Sequence, residues 1–205
     1  MRHNERGVCW TPMTSIEAIS DFLFVNRREI FTRPDLVIFH PGHYKELNED
    51  ILRLYHEEGF SFLTLSGAPN SFMGGKSEYE VHKPFLMAGG VPEETILLEP
   101  DGKTIEEIVR NSFLIPSRYG LTYQTALLVG KSFFARRLLL MGELFAPEDV
   151  RVDVLGLSDR RGITRTEWMN SEIGRQRVSG EFKRISSLLS ELNHYIPSPS
   201  VFTTP

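Results

Sequence analysis

Along the chain, short uninterrupted apolar runs alternate with longer segments in which apolar residues recur every three or four positions. The runs fall at 35–40, 60–65, 95–98, 125–129 and 151–155. Each is too short for a buried helix and is bounded by glycine, proline or polar turn residues, so each predicts a strand buried on both faces. The first helix is expected from Thr14 and Ser15, with a capping-box spacing from Thr14 to Glu17 and an apolar face of Ile16, Ile19, Phe22 and Leu23, reaching about Arg28. A second spans 47–58 and stops at Gly59. A third starts at Ser77, capped through Glu80, kinked or split by Pro84 and ended by Gly89-Gly90. A fourth starts at Thr104, capped through Glu107, and reaches Leu114. Segment 166–192 is helical with breaks expected at Gly174 and Gly180, and 196–205 reads as extended tail.

Because each strand reaches the next through a helix, the pattern predicts a Rossmann-like α/β three-layer sandwich. Its sheet is mostly parallel, has about five strands, is wound by right-handed crossovers and carries helices on both faces. The expected organisation is a single domain, with an N-terminal helical segment over 1–34, the α/β core over 35–158, and C-terminal helices and tail over 159–205 packing on that core.

Composition narrows the class. The chain has 205 residues, 40% of them hydrophobic and 24% charged, enough for one generous core. A net charge of −4 and a pI near 5.9 argue against a nucleic-acid partner, which calls for a basic stripe over a whole face. Cys9 is the single cysteine, which excludes a disulfide framework and a thiolate metal cluster. No apolar run of about 18 residues is present and the N-terminus lacks a signal-peptide apolar core, so a cytoplasmic protein with no membrane partner is expected.

In sheets of this type ligands bind beyond the carboxyl ends of the strands, where the strand order reverses. The residues there are His40-Pro41-Gly42-His43, Ser66-Gly67-Ala68, Glu99-Pro100-Asp101 and Gly130-Lys131-Ser132. The segment 125–137 stands out, because Lys131, Arg136 and Arg137 crowd a helix start whose free N–H groups are already positive. Either an anionic ligand or the protein's own carboxylates must compensate them. Residues 136 and 137 lie about 100° apart on a helix, so only one faces the crevice. Phe133 and Phe134 are expected in the core, where one could also wall an aromatic ligand.

The other rim residues each have two readings. Gly42 and Gly67 either admit a ligand close to the backbone or merely satisfy a turn. Glu78 is a possible ligand contact or a carboxylate favoured by a helix start, and Thr104 a ligand contact or an N-cap. Glu99 ends a buried strand and needs a partner, for which Lys131, Arg137 or a ligand hydroxyl would serve. His40 is an acid–base candidate or a buried, hydrogen-bonded ring. The histidines show no metal-ligand spacing, Gly74-Gly75-Lys76-Ser77 lacks the glycine spacing of a phosphate loop, and Ser66 lacks a nucleophile elbow. Loop 68–76, with Phe72-Met73 before two glycines, has the composition of a lid.

The order of Ser66-Gly67, Ser77-Glu78, Gly90-Val91-Pro92, Ile96 to Glu99, Thr104-x-Glu106 and Lys131 to Arg137 resembles the domain of unknown function shared by YdcF, SanA and ElyC. The resemblance runs from about Asp35 to Leu155, about three-fifths of the chain. It implies a Rossmann-like sandwich, favours Arg137 over Arg136 as the inward arginine, and links some relatives to envelope biology. SanA- and ElyC-like members carry a histidine where this chain has Phe134, while Lys131 and Arg137 are closer to the soluble YdcF-like branch. The asparagine after Thr104-x-Glu106 is replaced by Glu107.

The expected ligand-binding set is therefore Gly42, Ser66, Gly67, Glu78, Glu99, Thr104, Lys131 and Arg137, with Glu99 and His40 as catalytic candidates and no metal. The leading expectation is a protein that binds a small anionic or nucleotide-like ligand, S-adenosylmethionine being a candidate that the resemblance allows. The alternatives are a hydrolase or transferase acting on a phosphorylated or carboxylated metabolite, and a partner-binding module whose C-terminal helices form a homodimer face.

Overall fold

In the computed structural model, which describes residues 15–192, the five apolar runs form one all-parallel sheet. The cap at Thr14, Cys9 and the 196–205 tail lie outside the described residues. The strands are β1 (Leu36–His40), β2 (Phe62–Ser66), β3 (Ile96–Glu99), β4 (Thr125–Lys131) and β5 (Arg151–Leu157), in the order β3-β2-β1-β4-β5. The helices are α1 (Ser15–Leu23), α2 (Leu47–Glu57), α3 (Glu78–Ala88), α4 (Ile105–Arg118), α5 (Ala135–Phe145) and α6 (Glu172–Leu192).

Alternate residues of the central strands feed two separate cores. Leu36, Ile38 and Leu128 pack with Phe113 of α4, Leu138 of α5 and Ile185 of α6. Val37, Phe39, Leu127 and Val129 pack with Ile51 of α2 and Leu86 of α3. Burial on both faces is why these strands read as continuous apolar runs. The chain walks outward from β1 to β3 with α2 and α3 on one face. It then returns to β4 with α4 and α5 on the other. The winding reverses between β1 and β4, and the crevice beyond their carboxyl ends is where such a sheet takes a ligand.

Several element boundaries differ from expectation for tertiary reasons. α1 ends at Leu23 rather than near Arg28, because the following residues are drawn to the outer edge of β5. There the Arg28 N–H donates to the Asp153 carboxylate at 3.0 Å, its guanidinium donates to the Val152 carbonyl at 2.5 Å, and Asn26 accepts from the Gly156 N–H at 3.3 Å. α3 is not split at Pro84, since buried His82 and Leu86 hold the turns on either side of it. α4 likewise runs on through Pro116 to Arg118.

α6 is continuous through Gly174 and Gly180. Gly174 serves packing: a Cβ there would lie 2.2 Å from the Trp168 carbonyl oxygen. Gly174→Ala is expected to destabilise the protein by about 2 kcal/mol in urea unfolding, because backbone has to shift to admit the methyl. Among the described residues no helix is long and apolar enough to cross a membrane.

Candidate functional site

The floor of the crevice is the turn after β1, and α3 holds it in place. The helix begins with the expected capping box, Ser77 accepting from the Glu80 N–H while Glu80 accepts from the Ser77 N–H. That cap fixes Glu78 and His82, one turn apart on the same face. Glu78 Oε1 accepts from the Gly42 N–H at 2.8 Å, and His82 Nε2 lies 2.8 Å from the Gly42 carbonyl. Both backbone groups of Gly42 are thereby taken by α3.

Burial, outweighing the Gly42 carbonyl and Glu78, lowers the pKa of His82 and keeps the ring neutral. With Nε2–H donating, Nδ1 is an acceptor and sits 3.0 Å from the Asn48 amide. Turning that amide so that its otherwise unpartnered Nδ2 faces the ring satisfies both groups.

Gly42 has φ +65°, and a Cβ on it would come within 3.0 Å of Lys131 Nζ. Glycine is thus required twice, for the left-handed turn and for the approach of Lys131. Lys131 ends β4 and lines the crevice. Its ammonium makes no hydrogen bond or ion pair among the described residues and lies 5.5 Å from the Tyr44 ring. Burial pushes its pKa down, against the pull of Glu78.

Glu78 itself is buried, which raises its pKa. The adjacent His40, foremost by its charge, followed by Lys131, more than reverses this and leaves the carboxyl below its ordinary range. His40 Nδ1 stands 3.1 Å from Glu78 Oε1, without the geometry of a hydrogen bond, so a crevice-lining imidazole sits against a buried carboxylate.

The three basic residues of 131–137 have separate fates. Arg137 faces inward, as the resemblance implies, but its charge is met within the protein: Nε donates to Glu181 at 2.8 Å and Nη1 to Glu106 at 3.2 Å. Arg136 points the other way and is half-buried. It donates to the Phe22 carbonyl at 2.6 Å, satisfying the end of α1, rather than standing free in solvent. Lys131 is the one of the three whose charged group makes no hydrogen bond or ion pair among the described residues. It belongs to a strand end, and a short 3-10 turn (Ser132–Phe134) separates it from α5. Phe133 and Phe134 are buried, as expected, and also line the crevice.

The crevice has a volume of about 420 Å³. Its far wall comes from residues that strand-end reasoning over four strands did not reach. Arg161, after β5, forms a two-bond pair with Asp159 at 2.9 and 2.5 Å and lies 4.5 Å from the Tyr44 ring. α6 contributes Arg177, Glu181 and Arg184, spaced to share one helix face, and Arg184 pairs with Glu181 at 2.9 Å. Arg177 has no ion-pair partner among the described residues. Two signals pointed here: the residues following the fifth strand, and the charged positions at helical spacing in 177–184.

Other expected site residues are built into the scaffold. Glu99 pairs with neither Lys131 nor Arg137. Its Oε1 accepts from the Asp101 and Gly102 N–H groups at 2.9 and 2.8 Å and from Asn111 at 3.1 Å, so it fastens the loop before α4. Its Oε2 has no partner among the described residues, and the side chain does not line the crevice. Thr104 is the N-cap of α4 in a full capping box with Glu107. A Cβ on Gly67 would meet Leu98 at 3.0 Å and the Glu99 carbonyl at 3.1 Å, so this glycine serves strand packing. Ser66 accepts from the Ala68 N–H at 3.0 Å and lines an adjoining recess with His40 and Glu78.

Loop 68–76 is closed at its neck by a bridge between Pro69 and Ser77. It projects Phe72, 78% exposed, to stack on His43 at 5.1 Å over the mouth of the crevice. No group of three or more histidine, cysteine or acidic residues placed to hold a metal occurs among the described residues. In comparisons by sequence, no family model and no curated protein matches the chain.

Proposed function

We propose that this protein binds a small anionic, nucleotide-like ligand in the crevice between β1 and β4, and that it is a relative of the YdcF-like branch. The observation that carries the reading is Lys131, a half-buried crevice lysine whose ammonium makes no hydrogen bond or ion pair among the described residues and stands 3.0 Å from where a Cβ on Gly42 would lie. A half-buried cation with no direct partner is costly, which makes it a candidate for holding a ligand's anion. Arg177 adds a second charge with no ion-pair partner among the described residues, while Tyr44, Phe133 and Phe134 line the crevice and the exposed Phe72 offers a face for a ring.

Among nucleotides, a phosphate-bearing one complements this crevice better than S-adenosylmethionine. The latter carries a sulfonium and an ammonium against one carboxylate, which sets it against Lys131, Arg161 and Arg177. Isothermal titration with adenosine 5′-monophosphate, inorganic phosphate and S-adenosylmethionine is expected to give binding in that order of affinity. A preference for S-adenosylmethionine would replace the phosphate assignment.

A second reading is favoured by the His40–Glu78 pair. An imidazole set 3.1 Å from a buried carboxylate and beside an ammonium is equipment suited to a hydrolase or transferase acting on a phosphorylated or carboxylated metabolite. His40 would exchange the proton and Lys131 would stabilise developing negative charge. Turnover of a phosphoester panel that is lost in His40→Asn, with nucleotide affinity retained, distinguishes this enzyme from a binding protein. The internal pairing of Arg137 suits a partner-binding module, but the unpaired Lys131 does not.

A further inference from the structure

The wall at the mouth of the crevice has a second cavity behind it. Phe72 and His43 line the crevice on one side and a polar recess of about 560 Å³ on the other. That recess is lined by Lys45, Lys76 and Arg160. Neither lysine makes an ion pair among the described residues. The Arg160 guanidinium lies 5.5 Å over Tyr44, the ring that also faces Lys131. Glu80 is the carboxylate lining the recess, and it is committed to the Ser77 N–H and hydroxyl. Glu46 is engaged nearby with the Arg160 N–H.

Cations therefore stand on both sides of one aromatic wall, in a chain whose acidic residues outnumber its basic ones 27 to 23. The wall is a graded stack, Tyr44 against His43 at 4.0 Å and His43 against Phe72 at 5.1 Å. Its outermost ring is the most exposed of the large hydrophobic side chains among the described residues. Burial and then Lys131, Arg160 and Arg161 lower the pKa of His43, so the middle ring is a neutral platform at neutral pH. Exposed aromatic faces flanked by cations are how proteins hold a base while gripping the phosphates around it.

We infer that the ligand is a nucleotide with phosphate groups at two separated positions. One phosphate sits at Lys131 in the crevice, the ring stacks on Phe72, and the second phosphate reaches Lys45 and Lys76 in the outer recess. The inference rests on the anion-binding reading of the crevice and extends it to a second subsite.

The test compares adenosine 3′,5′-bisphosphate with adenosine 5′-monophosphate on the full chain. The bisphosphate is expected to bind about tenfold more tightly, a charge-assisted contact's worth of affinity, with a steeper loss in salt. In the Lys45→Ala/Lys76→Ala double variant that advantage should vanish while monophosphate affinity stays unchanged. Phe72→Ala should weaken both ligands, and the exposure of this side chain leaves folding intact, which an unchanged melting temperature would verify. Equal affinities in the parent protein, or an advantage that survives the double substitution, overturn the second subsite and leave the crevice reading standing. Failure of both nucleotides to bind overturns the two together.

Discussion

Lys131→Met is expected to remove nucleotide binding and to raise the melting temperature at the same time. The lysine places a charge where burial opposes it more than the pull of Glu78, Asp159 and Glu181 favours it, and no carboxylate pairs with it directly among the described residues. A methionine of similar length keeps the packing beside Tyr44 and Gly42 without that penalty. A stability gain of about 1 kcal/mol at neutral pH is the expected scale, with an affinity loss of about 100-fold for a phosphate ligand.

The pH dependence carries the same signature. The folded-state pKa of Lys131 lies below its ordinary 10.5. Its penalty is therefore fully present below the folded value, where both states hold the proton. It is relieved as pH rises from that value towards 10.5, where the unfolded chain binds a proton the folded one has shed. Urea unfolding of the parent protein should show stability gained over this alkaline window, and Lys131→Met should flatten it. A variant less stable than its parent would mean that Lys131 is structural.

Arg137→Ala is expected to act in the opposite sense, losing about 3 kcal/mol of stability. The substitution strips the buried Glu181 of its 2.8 Å partner and leaves it with the more exposed Arg184. Breaking one side of a buried pair is far more damaging than the pair's net worth suggests. Arg136→Ala, which removes one bond to the Phe22 carbonyl, should lose about 1 kcal/mol. Denaturant melts of the two variants measure this contrast directly. If Arg137→Ala unfolds like its parent and loses only ligand affinity, the Glu106–Arg137–Glu181 network does not hold in solution and Arg137 joins Lys131 as a ligand group.

The sheet was legible in the sequence because burial on both faces leaves short apolar runs bounded by glycine, proline or polar turn residues, too short for buried helices. The caps were legible for a similar reason: Ser77 with Glu80, and Thr104 with Glu107, are local arrangements completed within one helical turn. What failed to show was pairing at long sequence distance. Glu181 reaches Arg137 across 44 positions, and Arg28 reaches Asp153 across 125. Neither contact leaves a periodic trace. Glu99 illustrates a further limit, since a buried carboxylate announces that it has partners but not that they are backbone amides two and three residues on. The glycines and prolines expected to break α3 and α6 did not, because packing at His82, Leu86 and Trp168 outweighs local propensity.

The attachment of 26–28 to β5 has a consequence for how copies of this chain can meet. The Val152 carbonyl is taken by Arg28, the Gly156 N–H by Asn26, and the Val154 N–H by Asp153 at 2.9 Å. These are main-chain groups that an incoming sixth strand would use, so the sheet is terminated at that margin and recruits neither a foreign strand nor a second copy without first losing those bonds. Lateral growth of the sheet is confined to β3, a four-residue strand that runs straight into Pro100. The protein thus has one sealed border and one short one, a geometry that directs self-association towards helix faces and away from fibre-like stacking.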